Sequence, residues 1–130
     1  GLSDRMLILL YRDDIPEILA ASDVCVDASY EGLGLTGSLR EALAVETPVI
    51  GTEIEGNPEL IKDGETGYLF APRDVDALAR SILRLVEDAE HARTMARAGR
   101  KRVEAQFSFT AKIDRTEALY RRLLGAKRRA

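Results

Sequence analysis

The stretch EGLGLTGSLREALAVETPVIG, residues 31–51, predicts a glycine-rich loop that leads into a helix and then into a strand. The apolar run Val24 to Val26 precedes the loop and has the character of a short buried strand. Ser38 to Val45 consists of helix-forming residues, and Pro48 to Ile50 follows as the next strand. A strand, a helix and a second strand in this order predict a right-handed crossover between parallel strands.

The flanking segments continue the alternation of strands and helices. Met6 to Leu10 is a continuous apolar run of strand type, and Tyr68 to Phe70 is a further short strand. Helices are predicted at Ile15 to Ser22, from Asn57, from Asp74, at about Ala89 to Ala105, and at Thr110 to Leu124. We therefore expect an α/β fold, a parallel sheet with flanking helices, in which residues 74–130 are mostly helical.

One helical stripe is predicted to face the core. From Asp74 onward, apolar residues recur with the period of a helix, at Val75, Leu78, Ala79, Ile82, Leu83 and Val86. In the next helix, Met95, Ala98 and Val103 are expected to point inward.

The amino-acid composition is that of a folded globular protein. The chain has 130 residues, of which 45% are hydrophobic and 32% charged, as expected for one folded globular domain. No apolar run approaches the ~20 residues that span a bilayer. The N-terminal apolar stretch is too short for a secretory signal, so cytoplasmic residence is expected. A net charge of −3 and few, scattered aromatic residues argue against nucleic-acid binding.

The cysteine and the histidine do not predict a metal site. Cys25 is the single cysteine, which excludes a disulfide within the chain and suggests a small packing residue. His91 has no Cys, His or Asp partner at ligand spacing, so a structural or surface role is expected. No metal is expected.

The glycine loop has the properties of a phosphate-binding site. Ligands of open α/β sheets bind beyond the carboxyl ends of the strands, and the loop follows such an end. Gly32, Gly34 and Gly37 reach positive φ easily and let a ligand approach the backbone. The first turn of the following helix presents free N–H groups, which bind phosphate.

A purely structural interpretation of the loop also fits. Ser38 and Glu41 have the spacing of a capping box, in which each side chain bonds the backbone of the other residue. Glu31 would then be a solvated loop acid. The residues alone leave both interpretations open.

Read with its flanks, the same stretch resembles the donor-binding half of group 1 glycosyltransferases, also called family four. The matching motifs are Ser29 to Gly34, Glu41, Thr47 to Ile50, Gly56 to Glu59 and Gly64 to Gly67. The looser similarity runs from Leu2 to about Phe109. It implies a Rossmann-like parallel sheet with flanking helices, which is half of the two-domain GT-B architecture, in a retaining enzyme.

The resemblance also implies roles for the loop residues. Glu31 matches the catalytic glutamate near the sugar hydroxyls and the anomeric carbon, and Glu41 matches the glutamate that hydrogen-bonds the ribose. The diphosphate would be held by Gly34, Leu35, Thr36, Gly37 and Ser38. The donor would be a nucleotide-diphosphate sugar, and no metal or other cofactor is implied.

Four departures from the family pattern affect this site. Two additional residues lie between the two glutamates, within Leu35 to Ser38. Leu10, Glu46 and Glu55 stand where glycine is usual. A left-handed Glu46 after the helix would cost roughly 1 kcal/mol relative to glycine. The carboxylate of Glu55 would repel a diphosphate unless it points into solvent.

The resemblance implies that residues 1–130 form a single donor-binding domain truncated at its N-terminus. The absent parts would include the acceptor-binding domain and a basic pair that grips the diphosphate. We therefore expect little or no transferase activity from the chain alone. Its partners would be a nucleotide sugar, an unknown acceptor, and the missing domain or another chain.

Two other functions fit parts of the sequence, and the C-terminal end of the chain is basic. One alternative is a non-catalytic nucleotide-sugar binding or subunit-pairing module of the same fold. A signalling receiver domain has similar layers, with Asp13 and Asp14 as its acidic pair, but Asp27 lies too close to be its phosphoacceptor. The basic terminal residues are Arg121, Arg122, Lys127, Arg128 and Arg129. They would attract anionic lipid at the inner face of the membrane, although a solvated, frayed terminus is the simpler interpretation.

Overall fold

The structure is a computed structural model that describes residues 2–32, 34–35 and 37–127, without the side chains of Ala126 and Lys127. The strands are β1 (Cys25–Asp27), β2 (Val49–Thr52) and β3 (Tyr68–Phe70). The helices are α1 (Ile15–Ala20), α2 (Gly37–Ala44), α3 (Asn57–Leu60), α4 (Val75–Glu87), α5 (Ala89–Gln106) and α6 (Phe109–Lys127). A short 3-10 turn covers Ser3–Arg5.

The three strands form one parallel sheet in the order β1, β2, β3. Val26 lies opposite Ile50, and Ile50 lies opposite Tyr68. Helix α2 connects β1 to β2, and α3 lies between β2 and β3. This arrangement confirms the predicted α/β fold, and it brings the loops after β1 and β2 to the same edge of the sheet.

Side chains from both faces of β2 build the core. On one face, Val49 packs in a cluster with residues of α1, α2, α3 and α5 and with the residue that follows α3: Leu19, Leu39, Ala42, Leu43, Leu60, Ile61 and Val103. On the other face, Ile50 packs with Phe70, Leu85, Ala92 and Met95. All four residues of β2 are buried, as expected for the central strand of a sheet covered on both sides.

The predicted inward stripe of α4 is partly wrong. Val75, Ala79, Leu83 and Val86 are exposed, whereas Leu85 and Ser81 are buried and Leu78 and Ile82 are half-buried. The helix has apolar residues around more than one face, so periodicity alone does not select the face that contacts the sheet.

The predicted first strand is also wrong. Met6 to Leu10 lies outside the sheet, and Ile8 and Leu10 are more than four-fifths exposed. A strand needs a neighbouring strand for its backbone N–H and C=O groups, and no strand of the described residues lies beside this segment. Without that strand, the receiver-domain arrangement around Asp13 and Asp14 is not formed.

The predicted break between the last two helices is confirmed. Helix α5 ends at Gln106, and the Ser108 hydroxyl accepts a hydrogen bond from the amide of Ala111, which caps the start of α6. Within the described residues, no helix has both the length and the apolar character to cross a membrane.

Candidate functional site

A cleft of about 270 Å³ lies at the carboxyl end of the sheet, where the glycine loop after β1 meets the loop after β2. Its lining residues are Asp27, Ser29, Glu31, Gly32, Gly34, Leu35, Ile54 and Asn57. Of the predicted site residues, Glu31, Gly34 and Leu35 line this cleft. The position is where open α/β sheets bind ligands.

Asp27 anchors the floor of the cleft. It is the last residue of β1, and only 8% of it is exposed. One carboxylate oxygen accepts hydrogen bonds from the amide (3.0 Å) and the hydroxyl (2.6 Å) of Ser29. The other oxygen accepts from the side-chain amide of Asn57, at 3.1 Å. This network turns the chain out of β1 and ties it to the start of α3.

Two further hydrogen bonds join the same loops. The Asn57 side-chain amide also donates to the carbonyl of Thr52, and the Thr52 hydroxyl donates to the carbonyl of Asp27. Neither Asp27 nor Asn57 was among the predicted site residues. The sequence signal for Asp27 is an aspartate at the end of an apolar strand, directly before a polar turn, which is common in sheets without a ligand site.

Glycines allow the two loops to touch through their backbones. A Cβ on Gly56 would lie 2.8 Å from the Cα and N atoms of Leu35, so a larger residue would push the loop away. A Cβ on Gly32 would lie 3.0 Å from Cγ of Glu55. Gly34 has a φ of +100°, which favours glycine. At Gly32 and Gly56 the lack of a side chain therefore lets the two loops of the protein contact each other, rather than a ligand.

Glu31 is an acidic residue of the cleft lining. Its side chain is exposed, and it has no hydrogen-bond partner among the residues that the structure describes. Among the described residues, the cleft lining contains a second carboxylate, Asp27, and no lysine or arginine. A negatively charged ligand would therefore meet backbone N–H groups as the attractive groups of this lining, with the start of α2 beside it.

Helix α2 starts beside the cleft but outside its lining. It begins at Gly37, so Ser38 lies in the first turn, and no side-chain hydrogen bond links Ser38 to Glu41. The capping box is therefore not formed. The Glu41 carboxylate folds towards the helix start, 3.8 Å from where a Cβ on Gly37 would lie. Thr36, predicted to contact phosphate, lies outside the described residues.

Glu46 and Glu55 both adopt the left-handed conformation in which glycine is usual. Their φ angles are 62° and 47°. The prediction for Glu46 is thus confirmed, and its carboxylate lies 3.4 Å from a guanidinium nitrogen of Arg100. Glu55 is exposed and packs its stem against Gly32, at the rim of the glycine loop and outside the cleft lining.

Arg73 supplies a positive charge near the same edge of the sheet. Its guanidinium carbon lies 5.2 Å from the centre of the Tyr30 ring, which is cation–π distance. Its φ of 68° is again left-handed. Tyr30 directly precedes Glu31, so Arg73, which follows β3, contacts the glycine loop next to Glu31.

The remaining titratable candidates lie away from the cleft. Burial, with a smaller contribution from Asp27, raises the pKa of the half-buried Cys25 thiol above its ordinary value. His91 is exposed, and its Nε2 lies 3.1 Å from the Tyr68 hydroxyl. Within the described part of the chain, no three or more His, Cys, Asp or Glu side chains are grouped to hold a metal.

A family model matches most of the chain. The model described as "Glycosyl transferases group 1" matches residues 1–102. The N-acetyl-alpha-D-glucosaminyl L-malate synthase of Bacillus anthracis is 37% identical over 120 residues, which is 92% of this chain and 31% of that protein.

Solved structures share the fold. A sucrose-phosphate synthase from Thermosynechococcus elongatus has a TM-score of 0.73 and 40% identity, covering 84% of this chain and 27% of that chain. The Anabaena protein HepE, solved in complex with UDP-glucose, has a TM-score of 0.77 and 27% identity, covering 85% of this chain and 30% of that one. The chain thus spans about a third of the length of the relatives it matches.

Proposed function

The chain belongs to the family of glycosyl transferases group 1, and from that membership we propose that it binds the nucleotide-diphosphate sugar of a sugar-transfer reaction. The observation that carries the proposal is the cleft at the carboxyl ends of β1 and β2, where the loop with the matching family motif lines a ligand-sized space. HepE, whose fold is shared, was solved with UDP-glucose.

The proposed chemistry centres on Glu31. Glu31 lines the cleft and its carboxylate is not engaged by another described residue, so it is available to sugar hydroxyls and to the positive charge that develops at the anomeric carbon. We assign it the catalytic role, in a reaction that proceeds with retention at that carbon. When the glycosidic bond opens, negative charge spreads onto the diphosphate leaving group and must be stabilised there.

The start of α2 would supply part of that stabilisation. In the proposed complex the diphosphate lies along Gly34, Leu35, Thr36, Gly37 and Ser38, with Glu41 at the ribose hydroxyls. Free N–H groups and the positive end of the helix dipole favour an anion there. The proposal needs no metal, because the helix start and loop amides provide the contacts.

The charge of the cleft indicates why the chain alone would bind its donor weakly. The two carboxylates of the lining repel a diphosphate, and no cation among the described lining residues offsets them. Charge-assisted hydrogen bonds to phosphate are about twice as strong as neutral ones. We propose that residues 1–130 are one donor-binding domain of a GT-B enzyme, and that cations and the acceptor site come from a further domain or chain.

A second candidate keeps the fold without catalysis. The acidic lining and the left-handed Glu55 at its rim favour a module that binds a nucleotide sugar poorly and pairs with another subunit. For either function we propose a location in the cytoplasm or at the inner face of the membrane.

Calorimetric titration of the chain with UDP, GDP, ADP and their glucose conjugates tests the proposal. Weak saturable binding of one nucleotide is expected, with a loss of about tenfold in Glu41→Ala, which corresponds to one charged hydrogen bond. Glu65→Ala is the matched control, because Glu65 lies in the turn before β3, at the other end of the sheet. No binding of any nucleotide, or equal loss in both variants, would refute donor binding at this cleft.

A separate assay addresses catalysis by the isolated chain. With UDP-glucose and a mixed panel of sugar acceptors, we expect no transfer above the level of Glu31→Ala. Transfer that exceeds this control would show that the chain is a complete transferase, contrary to the proposal.

A further inference from the structure

The Asp27 carboxylate fixes the segment of chain that leads to Glu31. Asp27 is the last residue of β1, where it lies opposite Gly51 of β2, so its backbone is held by the sheet. Its Oδ1 accepts hydrogen bonds from the amide and the hydroxyl of Ser29, two residues before Glu31. The position of Ser29 relative to the sheet is therefore set by this carboxylate.

The other carboxylate oxygen is bound to a fixed element of the fold. Oδ2 accepts from the side-chain amide of Asn57, which is 1% exposed and begins α3. Arg102 of α5 holds the other end of α3, where its guanidinium donates to the carbonyls of Glu59 (2.7 Å) and Leu60 (2.9 Å). Because α3 is held at both ends, the bond from Asn57 fixes the orientation of the carboxylate.

The donors that converge on Asp27 require a carboxylate. They are the N–H and O–H of Ser29 and the side-chain N–H of Asn57. An asparagine at this position has one acceptor oxygen and one NH2 group. Whichever way it is turned, the NH2 group faces the N–H of Ser29 or that of Asn57, and a donor that loses its acceptor carries a desolvation cost. Loop geometry thus explains a charge that repels the diphosphate.

Separate contacts hold the chain next to Glu31. On one side, the Tyr30 ring lies 5.2 Å from the guanidinium carbon of Arg73. On the other side, Gly32 lies so close to Glu55 that a Cβ would be 3.0 Å from its Cγ. The hydrogen bonds that hold the chain between β1 and Glu31 are those of the buried carboxylate.

We propose that Asp27 is a positioning residue for the donor sugar, an inference that rests on the function proposed above. It holds Glu31 where the Glu31 carboxylate meets the sugar hydroxyls, and it does not itself contact the reacting atoms. A displacement of about 1 Å is enough to weaken such contacts strongly. Loss of the Asp27 carboxylate should therefore remove the affinity that the sugar contributes and leave the binding of the nucleoside diphosphate intact.

Comparison of a nucleoside diphosphate with its glucose conjugate isolates the contribution of the sugar. UDP, GDP and ADP are each titrated into the chain beside their glucose conjugates, with detection by NMR. For the base that binds, the conjugate should bind about tenfold more tightly than the diphosphate, the value of one charged hydrogen bond. In Asp27→Asn this sugar advantage should disappear. The diphosphate alone should bind at least as tightly as before, because one carboxylate of the lining becomes neutral.

Thr47→Val is the matched control for a loss of stability. Thr47 is buried, and its hydroxyl donates to the carbonyl of Leu19 at 2.7 Å. It precedes β2, at the opposite end of the strand from the cleft. The substitution removes one buried hydrogen bond with little change of shape. It should lower the free energy of unfolding, measured by urea denaturation, and leave the sugar advantage within about twofold.

Combination with Glu31→Ala shows whether Asp27 acts through Glu31. Glu31→Ala alone should abolish the sugar advantage, and Asp27→Asn should add no further loss in that background. The free chain gives a second readout, which needs no ligand. Backbone order parameters of residues 30–32 should fall in Asp27→Asn and stay unchanged in Thr47→Val.

Several results would overturn the proposal. A sugar advantage that survives in Asp27→Asn, or that Thr47→Val removes equally, would leave Asp27 a role in stability alone. A further loss in the Glu31→Ala background would make Asp27 a direct contact of the sugar. Diphosphates that bind without any sugar advantage in the parent chain would remove the roles of Asp27 and Glu31 but keep the donor cleft. Absence of binding by every nucleotide would refute the proposed function itself.

Discussion

Glu46 is a residue whose backbone conformation costs stability. Its φ of 62° is left-handed, a conformation that glycine adopts at lower cost. We expect Glu46→Gly to raise the free energy of unfolding by about 1 kcal/mol. The lost ion pair with Arg100 changes this little, because both side chains are substantially exposed.

Urea denaturation measures the effect, with Glu87→Gly as the control. Glu87 is the last residue of α4, with no left-handed conformation to relieve, so glycine there should lower the free energy of unfolding by up to about 1 kcal/mol. Equal destabilisation by both substitutions would contradict the explanation from backbone conformation.

Some residues of the site could be predicted from the sequence, and others could not. The left-handed conformation of Glu46 is expected because the family resemblance places a glycine at this position, directly after the helix. Asp27 and Asn57 are different, because their contact joins residues thirty positions apart and depends on the register of β1 with β2. Sequence spacing alone does not contain that register.

At the scale of elements, Gly99 sets the contact between α5 and α2. A Cβ at this position would overlap Cδ2 of Leu43 and lie 3.1 Å from the carbonyl oxygen of Thr66. We therefore expect Gly99→Ala to lower the free energy of unfolding by about 1–3 kcal/mol, because a packed core accepts an added methyl only by shifting. Thermal denaturation gives the value.

Gly125 offers a matched comparison within another helix. A Cβ there would meet no atom within 4 Å. Gly125→Ala should accordingly be neutral or stabilise the chain by up to about 1 kcal/mol through helix propensity. If Gly99→Ala proved as harmless as Gly125→Ala, the close packing of α5 on α2 would be wrong.

The elements also show where prediction from sequence fails. The strands and helices from 24 to 70 follow from local pattern, because each apolar run there finds a neighbour in the sheet. Met6 to Leu10 has the same local character but no adjacent strand, and it stays outside the sheet. This segment does not form a strand because no neighbouring strand within the described residues is present to pair with it, and its own sequence does not show this.

At the scale of the whole molecule, the chain combines a complete glycine loop with an acidic cleft. The family follows from the resemblance of the ordered motifs, and the structure shows what two of their glycines do, at the turn of Gly34 and the loop contact of Gly56. Donor base, sugar and acceptor do not follow, because the relatives that share the fold are about three times longer. The central claim is that the loop between β1 and α2 receives a diphosphate.

Backbone amide NMR of the chain titrated with nucleoside diphosphates tests this claim most directly. The account predicts that the largest shifts occur at Gly32, Gly34, Leu35 and Gly37, and that the matching nucleoside without phosphate produces much smaller ones. Shifts concentrated elsewhere, or a glycine loop that does not respond to any diphosphate at saturating concentration, would contradict it.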